Sequence, residues 1–298
     1  MAFGIGWAAS RRSAVAMSAG VILGYAAGVT ALEARNSGIG VALEKLVQPT
    51  EAREWAPLIG LLAIVPSLAA AVLGKRRGLR WLPAAILCAA APLWLLWGSK
   101  YLPRQADRDS GFVTTAWSGV EAVSILAGVA ALLLIAWYLW EAADSTKAPR
   151  VRSLLAILAI SGGAAAAGLT GSFVYAQFLG VLAASLGGCF TAAWLLKANA
   201  GPEAAAGPTV MLAGSLVLLA ACYSALQPLQ AAGVWASVTL AAGWLPGLSR
   251  LPSKGQLAVR AIACLLPVSI VVCQAGLKFA ETQRQQEEER ASNPYLNL

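Results

Sequence analysis

The chain contains no histidine. That single absence removes the commonest haem ligand, zinc ligand and general base together. Charge is scarce as well: Asp, Glu, Lys and Arg make up 12% of the 298 residues, against about 25% in ordinary soluble domains. So few charges do not cover the surface of a water-soluble fold of this length. There is no Walker loop, nucleophile elbow, H-E-x-x-H helix or dinucleotide fingerprint. Gly162-Gly163 is not a phosphate loop, because no strand pattern precedes it. The five cysteines, Cys88, Cys189, Cys222, Cys264 and Cys273, lie in apolar runs and form no C-x-x-C pair. They read as small packing residues rather than disulfide or zinc partners. No catalytic residue, cofactor-binding motif or metal-ligand set is indicated.

What remains is apolar. Hydrophobic residues are 58% of the chain and mean hydropathy is +0.68. The expected class is all-α, a polytopic integral membrane protein whose partner is the lipid bilayer. No polar stretch is long enough to bury a core of its own, so residues 1–280 read as one transmembrane helical domain with a polar tail over 281–298. The net charge of +8 is no nucleic-acid signal. The bases sit in short loops beside apolar segments, where they fix orientation, and no basic patch with interleaved aromatics occurs.

Nine apolar segments are expected to cross the bilayer: 13–32, 57–74, 81–98, 117–140, 153–172, 175–196, 208–226, 231–248 and 258–279. About 20 residues at 1.5 Å rise cross a core of about 30 Å. The first follows Ser10-Arg11-Arg12, faintly like a twin-arginine leader, but its length favours an uncleaved span. Within it Gly20, Gly24 and Gly28 make a tandem G-x-x-x-G stripe suited to close helix packing in lipid. Gly180, Ala184 and Gly188 repeat that spacing in the sixth segment. A short surface helix is expected over 41–47, within the mixed-charge stretch 33–56, and is stopped near Pro49. The Cys88…Pro92 and Cys264…Pro267 segments hint at an internal repeat, although their Cys–Pro spacings differ by one residue.

Orientation follows from Lys75, Arg76, Arg77 and Arg80, four bases in six residues, which should remain cytoplasmic. With the N-terminus inside, 13 of 22 bases fall on the cytoplasmic side. The expected arrangement in a cell (inner) membrane is therefore N-terminus cytoplasmic and C-terminus outside.

Glu121 is the one acid or base that the segment boundaries place inside an apolar run rather than at its edge. A membrane-embedded acid usually faces a partner or a water-filled cavity. Gln274 and Lys278 stand one turn apart on the last segment, and Tyr175, Gln177, Gln227 and Gln230 fall at the same level. These residues outline an outward-facing polar vestibule in which Glu121 approaches Lys278. Pro66, Pro92, Pro267 and Gly162-Gly163 suggest interrupted spans of the kind transporters use. Two functional classes follow. One is a permease or channel-like protein for a small solute. The other is a non-catalytic subunit or scaffold that docks a membrane-protein partner, or another copy of the chain, through Gly/Ala faces. An enzyme is less well supported than either.

Overall fold

The computed structural model describes residues 2–66, 81–104, 116–142, 149–196, 205–242 and 252–292. All regular elements among them are helices: α1 (Ala2–Ser37), α2 (Ile39–Val47), a 3-10 turn (Ala52–Trp55), α3 (Ala56–Leu62), α4 (Leu82–Leu96) and α5 (Gly119–Ala142), then α6 (Pro149–Leu169), α7 (Phe173–Leu195), α8 (Ala206–Tyr223), α9 (Pro228–Leu240) and α10 (Ser253–Ser292).

The bundle is built around α8. Apolar and small residues occur on every side of this helix, and nearly its whole length is buried. A helix apolar all round must be enclosed, and α1, α3, α4, α5, α7 and α9 all pack against it. Its two glycines receive large neighbours: Trp137 sits where Gly207 lacks a side chain, and Leu133 and Trp235 do so at Gly214. Trp137 is fully buried there, its indole N–H donating to Glu141 at 2.7 Å. The indole N–H of Trp140 donates to the Val238 carbonyl at 3.0 Å and so ties α5 to α9.

The stripe Gly20/Gly24/Gly28 lies against α7. A methyl added at Gly20 would sit 2.9 Å from Cys189 Sγ, at Gly24 3.1 Å from Ser185 Oγ, and at Gly28 2.5 Å from Val181 Cγ1. Rising numbers on α1 meet falling numbers on α7, so the two helices run antiparallel. Glycines also seat the second cluster of helices: Gly162 faces Val268, Gly163 faces Val234 and Gly233 faces Val271, which joins α6, α9 and α10.

Among the described residues, six helices are long and apolar enough to cross a membrane: residues 15–37 of α1, α5, residues 150–169 of α6, α7, α8 and residues 255–289 of α10. This is a helical membrane protein. Three of the nine expected spans fall outside that set. α4 has 15 residues and α9 has 13, about 22 and 20 Å at 1.5 Å per residue, short of a core of about 30 Å. α4 stops because Trp97 is extended and Gly98 takes φ 75, which turns the chain back toward Tyr101. The segment 57–74 is helical over Ala56–Leu62 and again at 64–66, and its remainder lies outside the described residues.

Pro92 and Pro267 do not break their helices. α4 runs through Pro92 and α10 through Pro267, while α6 is continuous across Gly162-Gly163. At Pro267 a neighbour repairs the backbone: the Val268 N–H donates to Ser237 Oγ of α9 at 3.0 Å, and Cys264 Sγ lies 3.4 Å from the Ser237 carbonyl. Side-chain hydroxyls that satisfy freed backbone groups are how helices tolerate proline in lipid. Pro66 lies at the last described residue of its segment.

Candidate functional site at one end of the bundle

The charged groups that converge lie where α1 ends, α7 begins and α2 crosses. Glu33 belongs to the last turns of α1. Gly38, at φ 86, then turns the chain into α2, which brings Lys45 back over Glu33. Pro49 and the 3-10 turn carry the chain beneath α2 and add Glu51, Arg53 and Glu54. The result is one connected network. Lys45 Nζ lies 3.2 Å from Glu33 Oε2 and 3.3 Å from Glu54 Oε1, and Arg53 bridges Glu51 at 2.7 Å and Glu33 at 3.7 Å.

Glu54 is the anchor. Its carboxylate is buried and accepts from the Thr50 N–H at 2.7 Å, the Thr50 hydroxyl at 3.1 Å and the Glu51 N–H at 3.0 Å. Burial works against its charge, yet the Glu51 and Thr50 hydrogen bonds and Lys45 hold its pKa below the ordinary value. The hydrogen bond to Glu33 raises Lys45 above the usual lysine value, against an opposing desolvation and with help from the nearby Glu33 and Glu54 charges. The cleft they share with Val29 and Phe178 has a volume of about 20 Å³, room for about one water. Three carboxylates and two cations therefore pair their charges, although Arg53 Nε and Glu54 Oε1 make no well-aligned hydrogen bond, and the arrangement serves as a clamp on α2.

Aromatic residues ring the same end. Tyr101 stacks on Trp117 at 4.6 Å, meets Tyr223 edge-on at 6.2 Å, and donates its hydroxyl to the Cys222 carbonyl at 2.7 Å. Lys100 Nζ stands 5.1 Å from the Tyr101 ring centre. Tyr175 is half-buried at the start of α7, and α4 and α8, at whose ends Tyr101 and Tyr223 stand, both pack against the 3-10 turn that carries Arg53 and Glu54.

The residues expected to form a polar vestibule are dispersed. Glu121 sits in the first turn of α5, not inside it: α5 begins at Gly119, and Glu121 accepts from the Ser118 N–H at 2.8 Å while its own N–H donates to Ser118 Oγ at 3.3 Å. This reciprocal pair is a capping box that satisfies exposed backbone donors at the helix start. Lys278 is exposed on α10, which packs on α6 and α9, while α5 packs chiefly on α4 and α8 and touches α9 through Trp140. The ion pairs found among the described residues do not include Glu121 with Lys278. Gln274 and Gln177 are exposed on α10 and α7. Gln230 is buried and accepts from the Gln227 N–H at 3.1 Å, capping α9. Lys75, Arg76, Arg77 and Arg80 lie outside the described residues. Among the described residues no group of three or more His, Cys, Asp or Glu is placed to hold a metal ion.

The Glu33–Lys45–Glu54–Arg53–Glu51 network was not singled out from the sequence, where it appears as a mixed-charge loop. Its signal was present in the close count of acids and bases over 33–56 and in the Glu51-x-x-Glu54 spacing. No protein-family model, no curated protein and no solved structure matches the chain.

Proposed function

We propose that the chain is a non-catalytic subunit or scaffold of a membrane protein complex. One observation carries this reading: the central helix α8 is buried along nearly its whole length, with Trp137, Leu133 and Trp235 filling its glycine notches, and the polar side chains it buries are two hydroxyls, Thr209 and Ser215. A solute path along the middle of a bundle needs polar groups or a cavity there. The permease reading drew on interrupted spans and on an embedded Glu121, and the break at Ala63 before Pro66 is what still favours it. The helices continue through Pro92, Pro267 and Gly162-Gly163, and Glu121 caps a helix end. The protein sits in the cell (inner) membrane with its N-terminus cytoplasmic and its C-terminus outside, a reading supported by the dense bases at 75–80. In this arrangement the short helices α4 and α9 and the segment from residue 56 also cross, making nine passes. Antiparallel contacts such as α1 with α7 suit that alternation.

Native mass spectrometry on protein gently extracted from its own membrane tests the proposal. A stoichiometric partner chain or a defined homo-oligomer is the expected species. A bare monomer that retains a small solute, together with solute flux in proteoliposomes, would overturn it.

A further inference from the structure

We infer that α2 is an in-plane interfacial helix, seated with one flank in the lipid headgroup layer and clamped to the bundle by the charged network beneath it. The distribution of side chains around the helix is the first reason. Ala42, Lys45 and Leu46 face inward, toward Glu33, Glu54 and the cleft. Ile39, Leu43 and Val47, spaced four apart, form one apolar flank that is 62%, 50% and 74% exposed, and Glu44 lies on the far side of that stripe. A helix in water would turn Lys45 outward and bury these apolar residues. Here the cation is half-buried in its ion pairs and the apolar stripe points outward, an arrangement that an apolar surrounding stabilises.

Position is the second reason. α1 is a spanning helix with Leu23 exposed on its lipid side, and the left-handed turn at Gly38 sends the chain sideways where that helix ends. The aromatic residues Tyr101, Trp117 and Tyr223 collect at the same end, where α4 and α8 pack against the 3-10 turn that carries Arg53 and Glu54. Trp94 and Trp97 are exposed on the last turn and cap of α4, close to the Tyr101 turn. Belts of Trp and Tyr mark the membrane–water interface. The apolar flank of α2 thus continues the lipid-facing surface at headgroup level.

The charge balance states which lipids. Residues 33–56 carry Glu33, Glu44, Glu51 and Glu54 against Arg35, Lys45 and Arg53. There is no basic excess to attract anionic headgroups, so the contact is apolar, occurs in zwitterionic bilayers and is insensitive to salt.

The test uses single spin labels at Ile39, Leu43, Val47 and Glu44 in the full chain, with Cys189, Cys222 and Cys273 replaced by alanine, in phosphatidylcholine nanodiscs. Collision rates with oxygen and with a water-soluble nickel complex are measured by electron paramagnetic resonance. A label at Leu132, exposed on α5, sets the lipid value. Labels at 39, 43 and 47 are expected to show an oxygen-to-nickel ratio several-fold above that at 44 and unchanged in high salt. Adding Lys45→Gln should lower the ratio at 43 as the clamp loosens. Equal nickel access at all four sites would overturn the inference, because α2 would then stand in water. Immobile labels shielded from both reagents would overturn it too, since protein would then cover the flank.

Discussion

Ser237 is a small hydroxyl at the place where the longest helix loses backbone hydrogen bonding. Proline removes one N–H and displaces the turn around it. The Ser237 Oγ meets the neighbouring Val268 N–H at 3.0 Å in a fully buried setting. Ser237→Ala strands that donor, and thermal unfolding in detergent should show a loss of about 1–3 kcal/mol. The clamp at Lys45 and Glu54 makes a different prediction, in pH. The Glu54 pKa lies below 4.5, so its contribution is present above 4.5 and is lost as pH falls through the lowered value. The Lys45 pKa lies above 10.5, so its contribution is complete below 10.5 and is lost as pH rises through the raised value. The difference in melting temperature between the native chain and Lys45→Met should therefore be flat between those limits and shrink beyond each. At this scale the sequence was a partial guide. Glu121 stood out because apolar neighbours surround it, but hydropathy does not locate a helix start, and Ser118 made it a cap. The network stayed hidden because its members join only when Gly38 and Pro49 fold α2 back over α1.

Helices were far more legible than side-chain partners. Each of the nine apolar runs contains or overlaps a helix, since apolar length is a property of local sequence. Their ends were less legible: Trp97 and Gly98 halt α4 while the surrounding composition remains apolar. Glycine spacing carried real information about α1, whose notches at Gly20, Gly24 and Gly28 face α7. It did not distinguish a filled notch from an open one. Gly28 meets Val181, whereas nothing lies within 4 Å of a methyl added at Gly128. Gly28→Leu should therefore separate α1 from α7 and cost about 1–3 kcal/mol. Gly128→Ala should be neutral or stabilising, by up to about 1 kcal/mol from helix propensity. Circular-dichroism melts of both variants in one detergent check the contrast.

The whole molecule is a bundle closed around α8, with its last helix outgrowing it. Ala275 is buried, but from Leu277 onward the described side chains of α10 are exposed, and the helix continues to Ser292. At 40 residues α10 is about 60 Å long, twice a bilayer core of about 30 Å. The central claim is that α8 encloses no water-filled path. It is tested most directly by placing single cysteines at Thr209, Leu212, Ser215 and Leu219 in a chain without its native cysteines. Each variant, reconstituted in liposomes, is treated with a membrane-impermeant thiol reagent from either side. All four positions are buried on α8, and the account predicts no modification from either face. Modification at Leu212 or Ser215, near the middle of the helix, would contradict it and return the protein to the permeases.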